Sequence, residues 1–265
     1  MDLLSFNAYR SLGIPGARYI RPDNMFARRD ELLAADWILF PETWQVNALV
    51  YSLRRRIFPA LAGYHLGRDK VEMARAFQAF CAAHVPETLI LPATGSGVEE
   101  VIDTLGFPVV VKEPRSARGE GVALLRSAAE LRAWAATHEV LLAQEYLPID
   151  KDLRVVWIGD RVVTAYWRSG GDGFRHNLAR GGRIQMSDIP ARAIALVENV
   201  APALGLDHAG FDIAMIGGHP YLLEFNLLFG NEALNHLGIR LGPIIHDYLV
   251  KRSAPAPDLP WPDAG

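Results

Sequence analysis

Three oxygen-bearing side chains cluster late in the chain, in stretches that are otherwise apolar. Asp212 sits in Gly210-Phe211-Asp212-Ile213-Ala214, and Glu224 and Asn226 sit in Tyr221-Leu222-Leu223-Glu224-Phe225-Asn226. Gly217-Gly218 between the runs is a dipeptide that closes a tight hairpin, so the two runs read as antiparallel neighbours. Strand residues two apart share a face, which sets Glu224 beside Asn226 and lets Asp212 project towards both. Two carboxylates and an amide are costly to bury unpaired. A hard cation, Mg²⁺ held with nucleotide phosphates, would remove that cost. The trio therefore reads as a metal-nucleotide site.

Other residues could serve the same chemistry. Lys112 ends an apolar run and precedes a loop containing Gly119-Glu120-Gly121. Such a loop can turn backbone N–H groups towards phosphate, and a lysine adds a point charge. No Gly-Lys-Ser/Thr follows it, so it is not a Walker A motif, and taken alone it reads first as a hairpin turn. Glu145 and Tyr146 close a strand whose backbone could meet an adenine edge, with Asp152 placed for ribose hydroxyls. By themselves these read first as strand-end residues. Arg154 alternates with Leu153 and Val155, and Arg175, His176 and Asn177 lie between Gly173 and Gly181-Gly182. Two arginines and a lysine aimed at one point would neutralise a transferring phosphoryl group. A solvent-facing strand position is an equal reading for Arg154, and His176 reads as a loop histidine rather than a base.

The elements that must position these groups follow from periodicity. Asp36–Pro41 reads as a short buried strand, and Thr43 to Arg55 as a helix ending in Arg54-Arg55-Arg56. Asp69 is a helix N-cap, followed by Val71, Ala74, Phe77 and Cys81 as an apolar stripe. Pro86 and Pro92 mark a linker. Phe107–Lys112, Val122–Leu125 and Val140–Tyr146 read as strands, with a capping box at Ser127-Ala128-Ala129-Glu130 opening a helix between the last two. Asp152–Ile158 and Arg161–Trp167 form a hairpin about Gly159-Asp160. Pro190 begins a helix to Leu204. The prolines beyond residue 253 indicate a disordered tail.

Composition narrows the class. With 265 residues, half of them apolar, the chain can bury a large core in two or three subdomains. A net charge of −3 leaves no basic footprint for nucleic acid or an anionic membrane. No apolar run reaches the roughly 18 residues that span a bilayer, and no secretory signal is expected at the N-terminus. A single cysteine, Cys81, forms no internal disulfide. The expected setting is cytoplasmic.

In order and spacing these pieces resemble the ATP-grasp superfamily, specifically RimK-type carboxylate–amine ligases, from about Asp69 to Gly230. The resemblance rests on Asp69-Lys70, Phe107–Lys112, Gly119-Glu120-Gly121-Val122, Gln144-Glu145-Tyr146 and Asp152-Leu153-Arg154. It continues through Phe174-Arg175-His176-Asn177-Leu178-Ala179-Arg180-Gly181-Gly182, Gly205-Leu206-Asp207, Ala209–Ile213 and Glu224-Phe225-Asn226. It implies a mixed α/β (α+β) ATP-grasp fold: a shortened N-terminal α/β subdomain (1–67), a central lid (68–146), a C-terminal mixed-sheet subdomain (147–252) and a tail (253–265). ATP would lie between the lid and the C-terminal subdomain. Lys70, Lys112, Gly119 and Gly121 would meet phosphates and base, the backbone of Glu145 and Tyr146 the adenine, and Asp152 the ribose. Asp212, Glu224 and Asn226 would hold two Mg²⁺ ions, with Mn²⁺ as a substitute. Arg154, Arg175 and Asn177 would surround the γ-phosphate and acyl group.

The implied activity is ATP-dependent amide or peptide bond formation through an acylphosphate, from a small-molecule or peptide carboxylate and an amine. Relatives commonly associate, so the resemblance admits a homo-oligomer, although the sequence does not set the oligomeric state. A kinase of this fold, or an ATP-binding regulatory protein without turnover, would use the same nucleotide residues. Two departures stand out. The opening segment is short, and Leu227-Leu228-Phe229-Gly230 follows Asn226 where the family often carries small polar residues before proline and glycine.

Overall fold

A computed structural model describes residues 1–116, 121–170 and 183–253. The opening segment contains β1 (Leu3–Ser5), β2 (Ala17–Tyr19), α1 (Arg29–Ala34), β3 (Trp37–Leu39), α2 (Thr43–Asn47), β4 (Ile57–Phe58) and α3 (Leu61–Arg68). Its four strands form a parallel sheet in the order β2-β1-β3-β4. Of these only β3 was expected as a strand; all four are two or three residues long, too short to show an alternating pattern. The helix expected from Thr43 to Arg55 stops early: α2 passes into a π-helical turn at Ala48–Ser52, and Arg54 has a positive φ of 54°.

Helix α4 (Lys70–Cys81) follows, with Asp69 capping it through the Val71 N–H at 2.9 Å. The lid then comprises β5 (Thr88–Pro92), α5 (Gly95–Thr104), β6 (Val109–Lys112), β7 (Val122–Leu125), α6 (Ala128–Ala135) and β8 (Val140–Glu145). Its antiparallel sheet runs β5-β8-β6-β7. The stretch expected as a linker around Pro86 and Pro92 thus holds a strand and a helix. Pro92 sits at the end of edge strand β5, where a missing N–H costs little. Val98 and Val101 on α5 close over the sheet, joining Val109, Val111, Leu131, Leu141 and Ala143 in a core of the lid's own.

The last unit contains β9 (Lys151–Ile158), β10 (Arg161–Ser169), β11 (Arg183–Gln185), α7 (Ala191–Ala203), β12 (His208–Ile216), β13 (His219–Asn226), α8 (Glu232–His236) and α9 (Leu241–Ser253). Its sheet order is β11-β10-β9-β12-β13, antiparallel throughout. One face packs on α7 and on α4 through Met73 and Phe77. Helix α4 therefore shares the core of this sheet rather than that of the lid. The other face, with Val156, Ile158 and Tyr166, shares a core with Leu3, Leu39, Phe58 and α9. The opening and closing segments are so fused across this sheet, while the lid keeps a separate core. The expected tail, apart from Ser253 at the end of α9, lies outside the described residues.

Candidate active site

Strand alternation sorts β9 cleanly. Leu153, Val155 and Trp157 enter the core under α7, whereas Val156 and Ile158 enter the core under α9. Asp152 and Arg154 share the parity of Val156 and so lie on that second face, at the end towards the lid. Both are buried, at 7% and 6% exposure, which removes the solvent-facing reading of Arg154. Arg154 donates to Asp212 through Nε at 2.5 Å and Nη2 at 3.1 Å. Arg168, on β10, donates to Asp152 from Nε and Nη2, both at 2.7 Å, and lies 2.9 Å from Asp212 Oδ1. Two guanidiniums and two carboxylates thus interlock on one face of the sheet.

Asp212 and Arg168 hold each other charged, whereas at Asp152 burial outweighs Arg168 and raises the carboxyl's pKa above the usual value. Burial works against the Asp212 carboxylate, but Arg154 and Arg168 outweigh it and hold its pKa below the usual value. Burial likewise opposes the Arg168 charge, and Asp212 and Asp152 more than restore it. Removing one partner from such a set would strand a buried charge.

Asp212 lies opposite Glu224, and Gly210 opposite Asn226. The ladder shifts by one residue between Asp212 and Ile213, so that Leu222 pairs with Ile213 and Leu223 is the extra residue. This bulge sends Leu222 into the core and Glu224 to the face of Asp212, although the two are only two residues apart. The Asn226 amide donates to Asp212 Oδ2 and to Glu224 Oε1, both at 3.3 Å. The three expected metal ligands therefore meet. Turning the Asn226 amide over would present its oxygen, giving three hard donors suited to Mg²⁺. Among the described residues no three His, Cys, Asp or Glu converge as a metal-ligand cluster.

Glu224 also faces the lid across a narrow cleft lined by Lys70, Lys112, Gln144, Phe77, Leu142 and Leu223. Lys112 donates to Gln144 Oε1 at 2.8 Å, and Gln144 donates on to Thr88 Oγ1 at 2.8 Å. Lys70 donates to the Ser116 carbonyl and hydroxyl at 2.5 and 3.0 Å. Burial lowers the pKa of both lysines, and Glu224 opposes that shift in each. Gly121 has φ of 67°, and a Cβ there would lie 2.6 Å from both Glu113 Oε2 and Ser116 Oγ, so this turn demands glycine. The Glu145 N–H is taken by the Glu87 carbonyl at 2.9 Å. Gly119, Arg175 and Asn177 lie outside the described residues.

Sequence reasoning missed Arg168 and gave no role to Gln144, although that residue stands in one of the stretches that carry the resemblance. Gln144 stands on β8 opposite Val110 of the neighbouring strand, a position with no signal in composition alone. Arg168 was hidden by a second bulge. A regular hairpin about Gly159-Asp160 would set Trp167 opposite Asp152, but the ladder shifts between Val162 and Thr164 and brings Arg168 there.

The sequence profile of the RimK-like ATP-grasp domain matches residues 72–249, which include every element of the site except Lys70. The chain belongs to the RimK-like ATP-grasp family. It is 38% identical to a probable alpha-L-glutamate ligase of an Enterobacter species over 136 residues, 49% of this chain and 45% of that protein. It is 33% identical to a ribosomal protein bS6–L-glutamate ligase of Escherichia fergusonii over 194 residues, 68% of this chain and 64% of that protein. The matches thus span about half to two thirds of these relatives. Among solved structures, a RimK-domain ATP-grasp protein of Sphaerobacter thermophilus superposes with a TM-score of 0.72 at 18% identity, covering 94% of this chain and 99% of that one. D-alanine–D-alanine ligase of Bacillus anthracis complexed with ATP gives 0.70 at 16% identity, covering 92% and 89%. These two likenesses concern the fold. No described helix of this RimK-like protein is long and apolar enough to cross a membrane.

Proposed function

We propose that this RimK-like protein is an ATP-dependent carboxylate–amine ligase acting in the cytoplasm. The observation that carries the reading is the meeting of Asp212, Glu224 and Asn226 on one face, with Lys70 and Lys112 across the cleft from Glu224. That arrangement suits a magnesium nucleotide between the lid and the C-terminal sheet. The ligase names carried by relatives at 33–38% identity support the same reading.

The residues divide the work by chemistry. Asp212, Glu224 and Asn226 would hold two Mg²⁺ ions, which would neutralise the triphosphate and the charge that moves during transfer. Lys112 and Lys70 would bind phosphate oxygens, Asp152 the ribose, and the backbone at Glu145 and Tyr146 the adenine. A substrate carboxylate attacks the γ-phosphorus, forming an acylphosphate and releasing ADP. An amine then attacks the acyl carbon, the C–O bond to phosphate breaks, and an amide and inorganic phosphate leave. Arg154, Arg175 and Asn177 would stabilise the transferring group. The cavity between lid and sheet is only ≈ 20 Å³, so ATP must part the two units to enter. Closure behind it would keep water from the acylphosphate.

The test is incubation with Mg·ATP and pooled acids and amines, following ADP and new masses. Amide products whose formation needs both substrates support the ligase. A stable phosphorylated product formed without any amine would replace it with a kinase.

A further inference from the structure

The chain enters the lid at one place and leaves it at another, and the entry carries a pair of histidines. Helix α4 shares the core of the C-terminal sheet, and the chain then passes through a 3-10 turn at Ala82–His84 before lid strand β5 begins at Thr88. Val85 is still buried in the core of the sheet, so the change of unit falls between Val85 and Thr88. His84 stands just before that step, against the turn of the β12–β13 hairpin, where His219 pairs with Ile216.

Two ring-to-backbone bonds join these elements reciprocally. His84 Nδ1 bonds the Pro220 carbonyl at 3.0 Å, and His219 Nε2 bonds the Ala83 carbonyl at 2.7 Å. A carbonyl only accepts, so both of these nitrogens carry hydrogen. The neutral rings therefore keep one bare nitrogen each, Nε2 of His84 and Nδ1 of His219. They lie face to face, with centroids 4.6 Å apart and planes 7° from parallel. Both are half-buried.

Little charge surrounds the pair. From Ala76 to Pro86 and from Ile213 to Leu223 the chain holds no Asp, Glu, Lys or Arg. The other titratable groups in these stretches are Cys81 and Tyr221. Burial pushes the Cys81 thiol up to about 11, and the Tyr221 ring meets His219 edge-on at 4.7 Å. On α4, Lys70 is bonded to Ser116, and Arg75 pairs with Glu72 at 3.3 Å. Arg192 and Glu198 of α7, which also packs on β13, are exposed, as is Glu87 on the lid side. No carboxylate pairs with either histidine ring among the described residues.

This geometry tolerates one proton, which adds at a bare nitrogen and leaves both carbonyl bonds in place. A second proton sets like charges face to face. At 4.6 Å, even with the screening of water, that repulsion shifts an equilibrium by about fivefold. Imidazole is the side chain that changes charge between about pH 5 and 8. Separated rings accept the second proton more readily than stacked ones, so the stack loosens as pH falls.

We propose that His84 and His219 form a proton-sensitive clasp at the root of the lid, closed while at most one ring is charged and released when both are. The device goes beyond the ligase reading, since it sets how readily the lid opens whatever the nucleotide is used for. The first readout is amide exchange of residues 82–88 in the nucleotide-free protein at about pH 7.5 and about pH 5.5, corrected for the intrinsic pH dependence of exchange. Wild type should lose about fivefold in protection over that step. His84→Gln and His219→Gln each keep an N–H for the carbonyl and cannot take the second charge. Either one alone should therefore remove the whole change, and if one fails to fold, the other decides. The second readout is stopped-flow release of a fluorescent ADP with Mg²⁺, which should quicken by a similar factor in wild type and not in the variants. Groups elsewhere titrate alike in all three proteins, so the difference isolates the pair. Wild-type protection that does not change with pH, a variant that keeps the wild-type dependence, or single variants that each remove only half of it would overturn the clasp. Release that ignores pH while exchange responds would overturn its hold on the lid. A protein that binds no nucleotide yet shows the expected exchange would instead remove the nucleotide site and leave the clasp standing.

Discussion

Arg168 Nη2 lies 2.9 Å from Asp212 Oδ1, so one of the three proposed metal ligands is ion-paired to a residue from a different strand. The same guanidinium binds Asp152 through two bonds of 2.7 Å. One buried cation therefore ties the proposed ribose acid to the proposed metal acid. A metal ion would share Asp212 with Arg168 and Arg154 rather than meet it free.

Arg168→Gln should lower stability by about 3 kcal/mol or more, because two buried carboxylates lose a cation. Removing that cation should also raise the affinity of the site for Mg²⁺. Added Mg²⁺ should then recover much of the lost Tm in the variant while shifting the wild type little. A variant that Mg²⁺ does not stabilise would separate Asp212 from the metal.

Glu224→Gln leaves the shape of the site and removes one anionic metal ligand. ADP formation should fall by at least a hundredfold, in line with loss of a group that holds the transferring charge. Activity close to wild type at limiting Mg²⁺ would remove Glu224 from the metal set.

Lys112→Ala should weaken ATP binding about tenfold or more, since a buried charge-assisted bond to phosphate is lost. Fluorescent-nucleotide titration reads the effect directly. An unchanged affinity would assign Lys112 to packing against Gln144 alone.

Asp207 and His208 make opposite contributions to pH dependence. Burial pushes the Asp207 carboxyl up to about 7 and the His208 imidazole down to about 3. From about pH 4 to 7 the folded chain keeps an Asp207 proton that the unfolded chain has lost, so this group costs stability as pH rises. From about pH 3 to 6.5 the unfolded chain holds a His208 proton that the folded chain lacks, so that contribution grows with pH. Asp207→Asn keeps an acceptor for the Ala60 N–H, now at 2.7 Å, and removes only the first effect. Its stability relative to wild type should therefore rise by about 1.4 kcal/mol per unit between pH 4 and 7. Urea denaturation across that range measures it, and a flat difference would mean that Asp207 ionises normally.

Gly242 packs at the start of α9 against the backbone of the loop after β1. A Cβ there would overlap the Gly13 carbonyl, which cannot swing away as a side chain could. Gly242→Ala should destabilise by about 1–3 kcal/mol, the usual cost of overpacking. Thermal unfolding of the variant checks that the opening and closing segments are locked together.

The amino-acid sequence by itself determined the parts whose signal is local. Asp69 and Ser127 cap helices because their side chains reach N–H groups two or three residues on, at 2.9 and 3.3 Å. Gly217 and Gly218 turn the last hairpin with φ of 56° and 81°, values that most other residues resist. The acids in apolar runs marked the site for the same reason: burial without partners is costly. Register was decided only by the tertiary structure. Counted from its turn, a regular last hairpin would place Leu223, not Glu224, opposite Asp212, and a regular first one would place Trp167, not Arg168, opposite Asp152. One bulge in each hairpin moves the charged residue into place. A bulge depends on which side chains the two faces of the sheet can bury, so it becomes visible only when α4, α7 and α9 have closed over those faces.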